Sequence, residues 1–396
     1  MLLLRRDLGR AARGFAIPWI VTLAACGTND SDKASPPKDE VKEPACRSSE
    51  LGRVTAPSPL VSLGKRVTAS EGGVALETAV DGRYHSGAGA RIPAPTEDAP
   101  GWFAVEIGPG PERLLLVWTD PGWGAFNVLT GAPTAYRIET SADSTDGSDG
   151  IWETVVTVEE NAFRSRGHTF PFAGQAWVRL VLTAVAEGTL NAIMDEIAVH
   201  DVSSAGADEI PSDTWFFMGD SITQGGLQRE FGANSIDALV NQALPDYYPA
   251  VINGGVGGEM TSHGNTHLMQ GWLEANPDFL HVGILYGTND SWGNKDPVAA
   301  GFQTQLENLV QGVLDAGRVP FVGTIPYSTT VHDTLPAWNA VIETVVAEKG
   351  LPCGPDFYTH FRDHPEDLSS DGVHPSAQGY RNMNRLWAET LQSFYP

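Results

Sequence analysis

The chain predicts two folded parts, an all-β sandwich followed by an α/β unit built on a parallel sheet. Two rhythms in the sequence carry that expectation. Between about residues 60 and 202, short strand-like runs are broken by Gly, Pro and Asp turns, with no clear helical stretch. Beyond about residue 205, continuous apolar runs alternate with helical stretches, the pattern of a parallel sheet covered on both faces. With 396 residues, 41% of them apolar and 11 of them Trp, the chain can fill two cores.

The N-terminus precedes both parts. Arg5, Arg6, Arg10 and Arg13 lead into an apolar run from Phe15 to Ala25, too short to span a bilayer, which reads as an export signal over residues 1–25. It ends in Leu23-Ala24-Ala25-Cys26, which resembles the lipobox of bacterial lipoproteins and implies lipidation of Cys26. The expectation is an exported protein, lipid-anchored in the bacterial envelope. Residues 26–58 are rich in Ser, Pro, Lys, Glu and Asp and cannot bury enough surface to offset ordering entropy, so they read as a tether. A net charge of −24 disfavours nucleic acid and anionic membrane surfaces, leaving the anchor as the expected membrane contact. An oxidising compartment permits a disulfide between Cys46 and Cys353, and two separate thiols fit the sequence as well. No cysteine framework for a metal is present, and neither metal nor cofactor is expected.

Residues 59–204 supply the sandwich. Trp102–Ile107, Leu114–Trp118, Tyr136–Thr140, Ile151–Val158, Trp177–Leu182 and Glu196–Val199 read as strands. Several of these pieces, with Ala79-Val80-Asp81-Gly82, resemble galactose-binding-like jelly rolls of the discoidin type. Trp118 and Trp123 flank a turn where exposed rings could stack on sugars, although burial in the sandwich is the favoured reading.

Ser203 to Asp213 marks the boundary, and residues 205–396 form the α/β unit. Strands are expected near 215–218, 250–252, 279–285 and 319–324. Helices are expected near 235–244, 267–274, 302–315, 336–349 and 377–394. Sites in such folds lie beyond the C-terminal strand ends.

Three of four motifs fall at such ends, and the fourth precedes the final helix. Gly219-Asp220-Ser221 follows the first strand, where Ser221 would expose its hydroxyl at a sharp turn with its own N–H free to donate. Thr223 breaks Gly-x-Ser-x-Gly, which disfavours the α/β-hydrolase elbow. Asn253-Gly254-Gly255-Val256-Gly257-Gly258 offers backbone free of Cβ crowding that can aim an N–H at an oxyanion. Gly287-Thr288-Asn289-Asp290 offers a neutral amide donor in Asn289. Asp371-Gly372-Val373-His374 places a carboxylate where it can hold Nδ1 and leave Nε2 to take a serine proton. Each motif alone is compatible with an ordinary turn or cap; the four in this order point to nucleophilic acyl transfer.

In that order, the motifs resemble the SGNH (GDSL-type) hydrolase superfamily. The resemblance implies a flavodoxin-like three-layer sandwich with Ser221 as nucleophile, His374 as base and Asp371 as its orienting acid. It implies the amides of Ser221 and Gly258 and the side chain of Asn289 as oxyanion donors. Some carbohydrate esterases of the superfamily also carry an N-terminal jelly roll, so the expected substrate is an acylated, most simply acetylated, carbohydrate. Long-chain lipase or thioesterase activity, or glycan binding by the sandwich alone, are the alternatives. Glu259, His263 and His267 could form a metal face if helical, but Gly264 argues against a rigid helix there and favours a substrate-lining loop or plain surface. Trp292 fits either a substrate-lining or a buried role.

Overall fold

The computed structural model describes Cys46 and residues 51–396, apart from 84–88, 121–130, 229–234 and 332–333. The export signal, Cys26, the tether up to residue 45 and Trp123 lie outside the described residues.

The N-terminal region is antiparallel. Its strands are β1 (Val67–Ala69), β2 (Ala90–Pro93), β3 (Gly101–Glu106), β4 (Arg113–Thr119) and β5 (Pro133–Ser141). They continue as β6 (Glu153–Val158), β7 (Ser165–Pro171), β8 (Trp177–Val185), β9 (Asn191–Met194) and β10 (Glu196–Asp201). A five-stranded sheet, ordered β1-β3-β8-β5-β6, and a three-stranded sheet, ordered β10-β4-β7, enclose a core that includes Phe103, Leu116, Trp118, Tyr136 and Leu180. Trp118 is fully buried in it, so its ring is unavailable for sugar stacking.

The C-terminal region is a four-stranded parallel sheet, ordered β12-β11-β13-β14, made of β11 (Thr214–Gly219), β12 (Ala250–Gly255), β13 (His281–Leu285) and β14 (Val319–Val322). Its helices are α1 (Ser221–Gln228), α2 (Ile236–Ala243), α3 (Thr261–His263), α4 (Met269–Ala275) and α5 (Thr288–Ser291). They continue as α6 (Phe302–Asp315), α7 (Leu335–Lys349), α8 (Phe357–Asp363) and α9 (Ala377–Gln392). Side chains of β11 alternate between the two faces. Trp215 and Phe217 pack with Val240 of α2, Phe357 and Phe361 of α8, and Met383 and Trp387 of α9. Phe216 and Met218 pack with Trp272 of α4, Leu309 of α6 and Trp338 of α7.

That second face is completed by the antiparallel region. Leu115 and Val117 of β4 and Ala198 of β10 belong to the core of Phe216 and Phe279, while Leu114, Leu116 and Trp118 point the other way. Strand β4 is therefore buried on both sides, which is why Leu114–Trp118 is an unbroken apolar run rather than an alternating one. The free edge of β7 is covered by the segment after α4. The N–H of Gly167 donates to Asn276, that of Thr169 to Asp278, and Arg166 donates to the carbonyl of Ala275. A Cβ on Gly167 would lie 2.4 Å from the ring of Phe279. Pro44–Pro396 accordingly form one compact unit.

The last part of the expected tether differs from the sequence reading. Val54 is buried beside Phe394, whose carbonyl accepts its N–H, and Thr55 donates to Ser212. Cys46 and Cys353 form a disulfide, so the chain is fastened to the α/β region before it enters the sandwich. One apolar residue among polar ones gives no periodic signal, and the packing is visible only in three dimensions.

Candidate active site

Strand register brings the motifs together. Gly219 pairs with Gly255 of β12 and with Leu285 of β13, so three loops leave the same sheet edge side by side. At Gly219 a Cβ would sit 2.6 Å from the Leu285 carbonyl and 2.0 Å from the Thr223 hydroxyl, so only glycine passes this point. Asp220 then accepts the N–H of Ile222 at 2.9 Å, and the turn opens α1 with Ser221 as its first residue. As a first-turn residue, Ser221 keeps its N–H outside the helical ladder.

The turn from Ser369 to His374 is held rigidly. Ser369 donates its N–H to the His374 carbonyl, and the Gly372 carbonyl accepts from Thr329 and Ser328. Gly372 has φ +70°, and a Cβ there would meet the Thr329 hydroxyl. Within this frame, one Asp371 oxygen accepts the N–H groups of Val373 and His374 and the hydroxyl of Ser369. The other lies 2.7 Å from His374 Nδ1. Burial pushes the Asp371 carboxyl up, but these four hydrogen bonds outweigh it and hold the group well below the usual carboxylate range. A carboxylate only accepts, so Nδ1 carries the ring proton and Nε2 presents a lone pair. Nε2 lies 2.8 Å from Ser221 Oγ.

Gly258 has φ +83°, is exposed, and has nothing within 4 Å of a hypothetical Cβ. Asn289 donates one amide hydrogen to the Glu259 carbonyl at 2.8 Å, which leaves its second hydrogen for another acceptor. The structure thus gathers Ser221, His374 and Asp371 into one hydrogen-bonded chain and ties the Gly258 and Asn289 loops to each other. The cleft at the triad, about 350 Å³, is lined by Ser221, Ser369, Asp371, His374, Pro375, Ser376, Ala377 and Tyr380.

Several buried groups behind this surface carry no signal in the sequence. Asp220 is pushed up to about 7, first by burial, with Asp290 adding to the shift and His374 opposing it. Asp290 is raised by burial against the hydrogen bonds from Thr261. The Tyr286 hydroxyl is driven upward by burial and by Asp220, Glu259 and Asp290. Asp220, Glu259 and Asp290 come from three separate loops, so no local pattern announces that they meet around Tyr286.

Residues 261–275 are continuously helical, contrary to the expectation drawn from Gly264. A π-helical turn, Gly264–Leu268, joins α3 to α4. Gly264 serves packing there, since a Cβ would lie 2.8 Å from the Tyr286 ring. Glu259 is buried with an oxygen 2.9 Å from His263 Nδ1, and among the described residues no three His, Cys, Asp or Glu side chains are grouped to hold a metal. Trp292 is 60% exposed, which removes the buried role.

Comparison with known proteins matches part of the chain to a family. Residues 217–381 match the GDSL-like Lipase/Acylhydrolase family. No curated protein matches the chain. Among solved structures, a lipase/acylhydrolase from Enterococcus faecalis shares 25% identity over 45% of this chain and 95% of its own, with a TM-score of 0.38. An acetyl xylan esterase from Geobacillus stearothermophilus shares 22% over 47% of this chain and 96% of its own, also at 0.38. Chitosan-binding module 1 of a chitosanase/glucanase from Paenibacillus sp. IK-5 shares 24% over 36% of this chain and 98% of its own, at 0.26. The chain therefore carries a hydrolase domain of the GDSL-like lipase/acylhydrolase family, and it is a carboxylic ester hydrolase.

Proposed function

We propose that the protein removes short acyl groups, acetyl above all, from a carbohydrate through an acyl-enzyme on Ser221. The observation that carries the reading is the chain from Ser221 Oγ to His374 Nε2 at 2.8 Å and from His374 Nδ1 to Asp371 at 2.7 Å. In this mechanism Ser221 attacks the ester carbonyl while Nε2 takes its proton, and Asp371 stabilises the imidazolium. The N–H groups of Ser221 and Gly258 and the free hydrogen of Asn289 receive the oxyanion. The imidazolium then protonates the departing alcohol, and water, activated by the same Nε2, releases the acid. No cofactor enters these steps.

The cleft supports the short-acyl reading. Five of its eight lining residues are serines or triad members, which offers a long hydrocarbon chain little apolar surface. Trp292, exposed three residues beyond Asn289, offers a ring face of the kind that sugars stack against. Export and anchoring through Cys26 belong to the same proposal, and the Cys46–Cys353 disulfide supports an oxidising compartment.

The test is hydrolysis of p-nitrophenyl acetate, butyrate and octanoate by the protein and by Ser221→Ala. Turnover falling from acetate to octanoate, and lost by about 10⁴-fold or more in the variant, is expected. A preference for octanoate would move the substrate to lipids, and an active variant would remove Ser221 from the mechanism.

A further inference from the structure

We propose that Asp290 is a positioning residue whose carboxylate latches the Gly258 loop onto the Asn289 turn and thereby sets the spacing of the oxyanion donors. The inference rests on the oxyanion reading above and adds a residue that touches neither substrate nor nucleophile.

The topology creates the need. Strands β12 and β13 flank β11, so the loop after β12 must cross the end of β11, where Ser221 lies, to reach the turn after β13. That loop leaves β12 at Gly255 and runs through Gly257 and Gly258, a backbone with little conformational preference of its own. Three contacts hold its far end. Asn289 Nδ2 donates to the Glu259 carbonyl at 2.8 Å. The Thr261 N–H donates to the Asp290 carboxylate at 3.1 and 3.2 Å, and the Thr261 hydroxyl donates to it at 3.1 Å. Thr261 is fully buried, so these donors have no water to turn to if Asp290 is removed. One carboxylate thus receives two donors from a residue three positions beyond Gly258, and it adjoins Asn289 in sequence. Both expected donors outside the nucleophile's own turn are referenced to the same side chain.

A plainer role is open to Asp290. Thr261 begins α3, and a carboxylate that accepts its N–H could serve only to satisfy a buried helix end. The two roles separate in kinetics. A cap alone alters stability, leaving each folded molecule fully active. A latch alters the transition state, because displacing an oxyanion donor by about 1 Å costs on the order of 10²-fold, and it leaves substrate binding nearly untouched.

The experiment compares the full chain with Asp290→Ala, Asp290→Asn, Thr261→Val and Ser221→Ala on p-nitrophenyl acetate. Active sites are counted with a p-nitrophenyl phosphonate, so that kcat refers to folded, competent molecules. Asp290→Ala is expected to lower kcat per titrated site by about 10²-fold with KM within about threefold. Asp290→Asn retains an acceptor for the Thr261 N–H and should recover at least about tenfold of that loss. Thr261→Val, which deletes only the hydroxyl link, should lose several-fold in kcat and gives the measurement if Asp290→Ala does not fold. The latch is overturned if kcat per site stays within threefold of the parent in Asp290→Ala, or in Thr261→Val where that is the variant measured. It is also overturned if Asp290→Asn is no better than Asp290→Ala. Full turnover in Ser221→Ala is a distinct result that refutes the reading of the site, and the latch falls with it.

Discussion

Two histidine–carboxylate pairs lie within 15 residues of each other and meet different ends. His374 and Asp371 stand 2.7 Å apart, with side chains 40% and 50% exposed, and His374 also faces Ser221. His360 and Asp367 stand 2.9 Å apart, with side chains 12% and 6% exposed, and Asp367 also accepts from Asn382 of α9. The second pair joins α8 to the turn before α9, and among the described residues its side chains hydrogen-bond each other and Asn382 rather than a nucleophile. The chemistry of the pair is the same in both cases. The third partner separates them: on the proposed mechanism a serine hydroxyl in an open cleft makes one pair a proton acceptor, while the Asn382 amide of α9 makes the other a rivet.

The comparison breaks most sharply at His374. Replacing it with Ala removes the proton acceptor and should lower kcat on p-nitrophenyl acetate by about 10⁴-fold or more, comparable to loss of Ser221. Asp371→Asn should cost less, about 10²- to 10⁴-fold, since the serine–imidazole contact survives while the tautomer is no longer fixed. A drop below tenfold would show that the exposed carboxylate is dispensable and that the enzyme works as a dyad. His360→Leu should invert the pattern. We expect about 1–3 kcal/mol of lost stability from a buried acceptor deprived of its donor, seen as a lower urea midpoint, with kcat within about threefold. Equal damage to kcat would mean that the rivet transmits strain into the Ser369–His374 turn.

The sequence distinguishes these pairs through spacing alone. Asp-x-x-His closes a single turn, which is local and therefore legible, whereas His360 and Asp367 lie seven apart and meet only through helix packing. The same division runs through the whole molecule. The strand and helix rhythm after residue 205 was legible because each strand of a doubly covered sheet is an uninterrupted apolar run. Strand β7, Ser-Arg-Gly-His-Thr-Phe-Pro, was not, because its polar side chains find partners only in the fold, Ser165 on the Trp118 carbonyl, Arg166 on the Ala275 carbonyl and His168 beside the Tyr136 hydroxyl. The run Leu114–Trp118 has two apolar faces, but read as one more strand of the sandwich it gave no hint of a second partner. That partner is the parallel sheet, whose face the strand covers beside Phe216 and Phe279.

The smallest effect concerns what burial does to a carboxylate that has no histidine at all. Asp213 accepts Tyr395 Oη and the Trp215 indole N–H, and desolvation still pushes it up to about 6. For an acid the sign follows directly: the folded state holds the proton more tightly, so stability is greatest at low pH and declines as pH rises from about 4 through 6. Asp220, pushed up to about 7, extends the same decline to higher pH. The buried His168, lowered to about 3, and His200 and His281, lowered to about 4, act oppositely, costing stability as pH falls below about 6.5. Asp371 is the reverse case again, since its hydrogen-bonded ion stabilises the fold above the ordinary carboxylate range. Asp213→Asn keeps a neutral acceptor for Tyr395 and Trp215 and cannot ionise. Its urea midpoint should therefore gain on the parent's between pH 4.5 and pH 8, by the equivalent of on the order of 2 kcal/mol. Parallel curves for parent and variant would show that Asp213 is already ionised in the fold, held by its two donors as Asp371 is by its four.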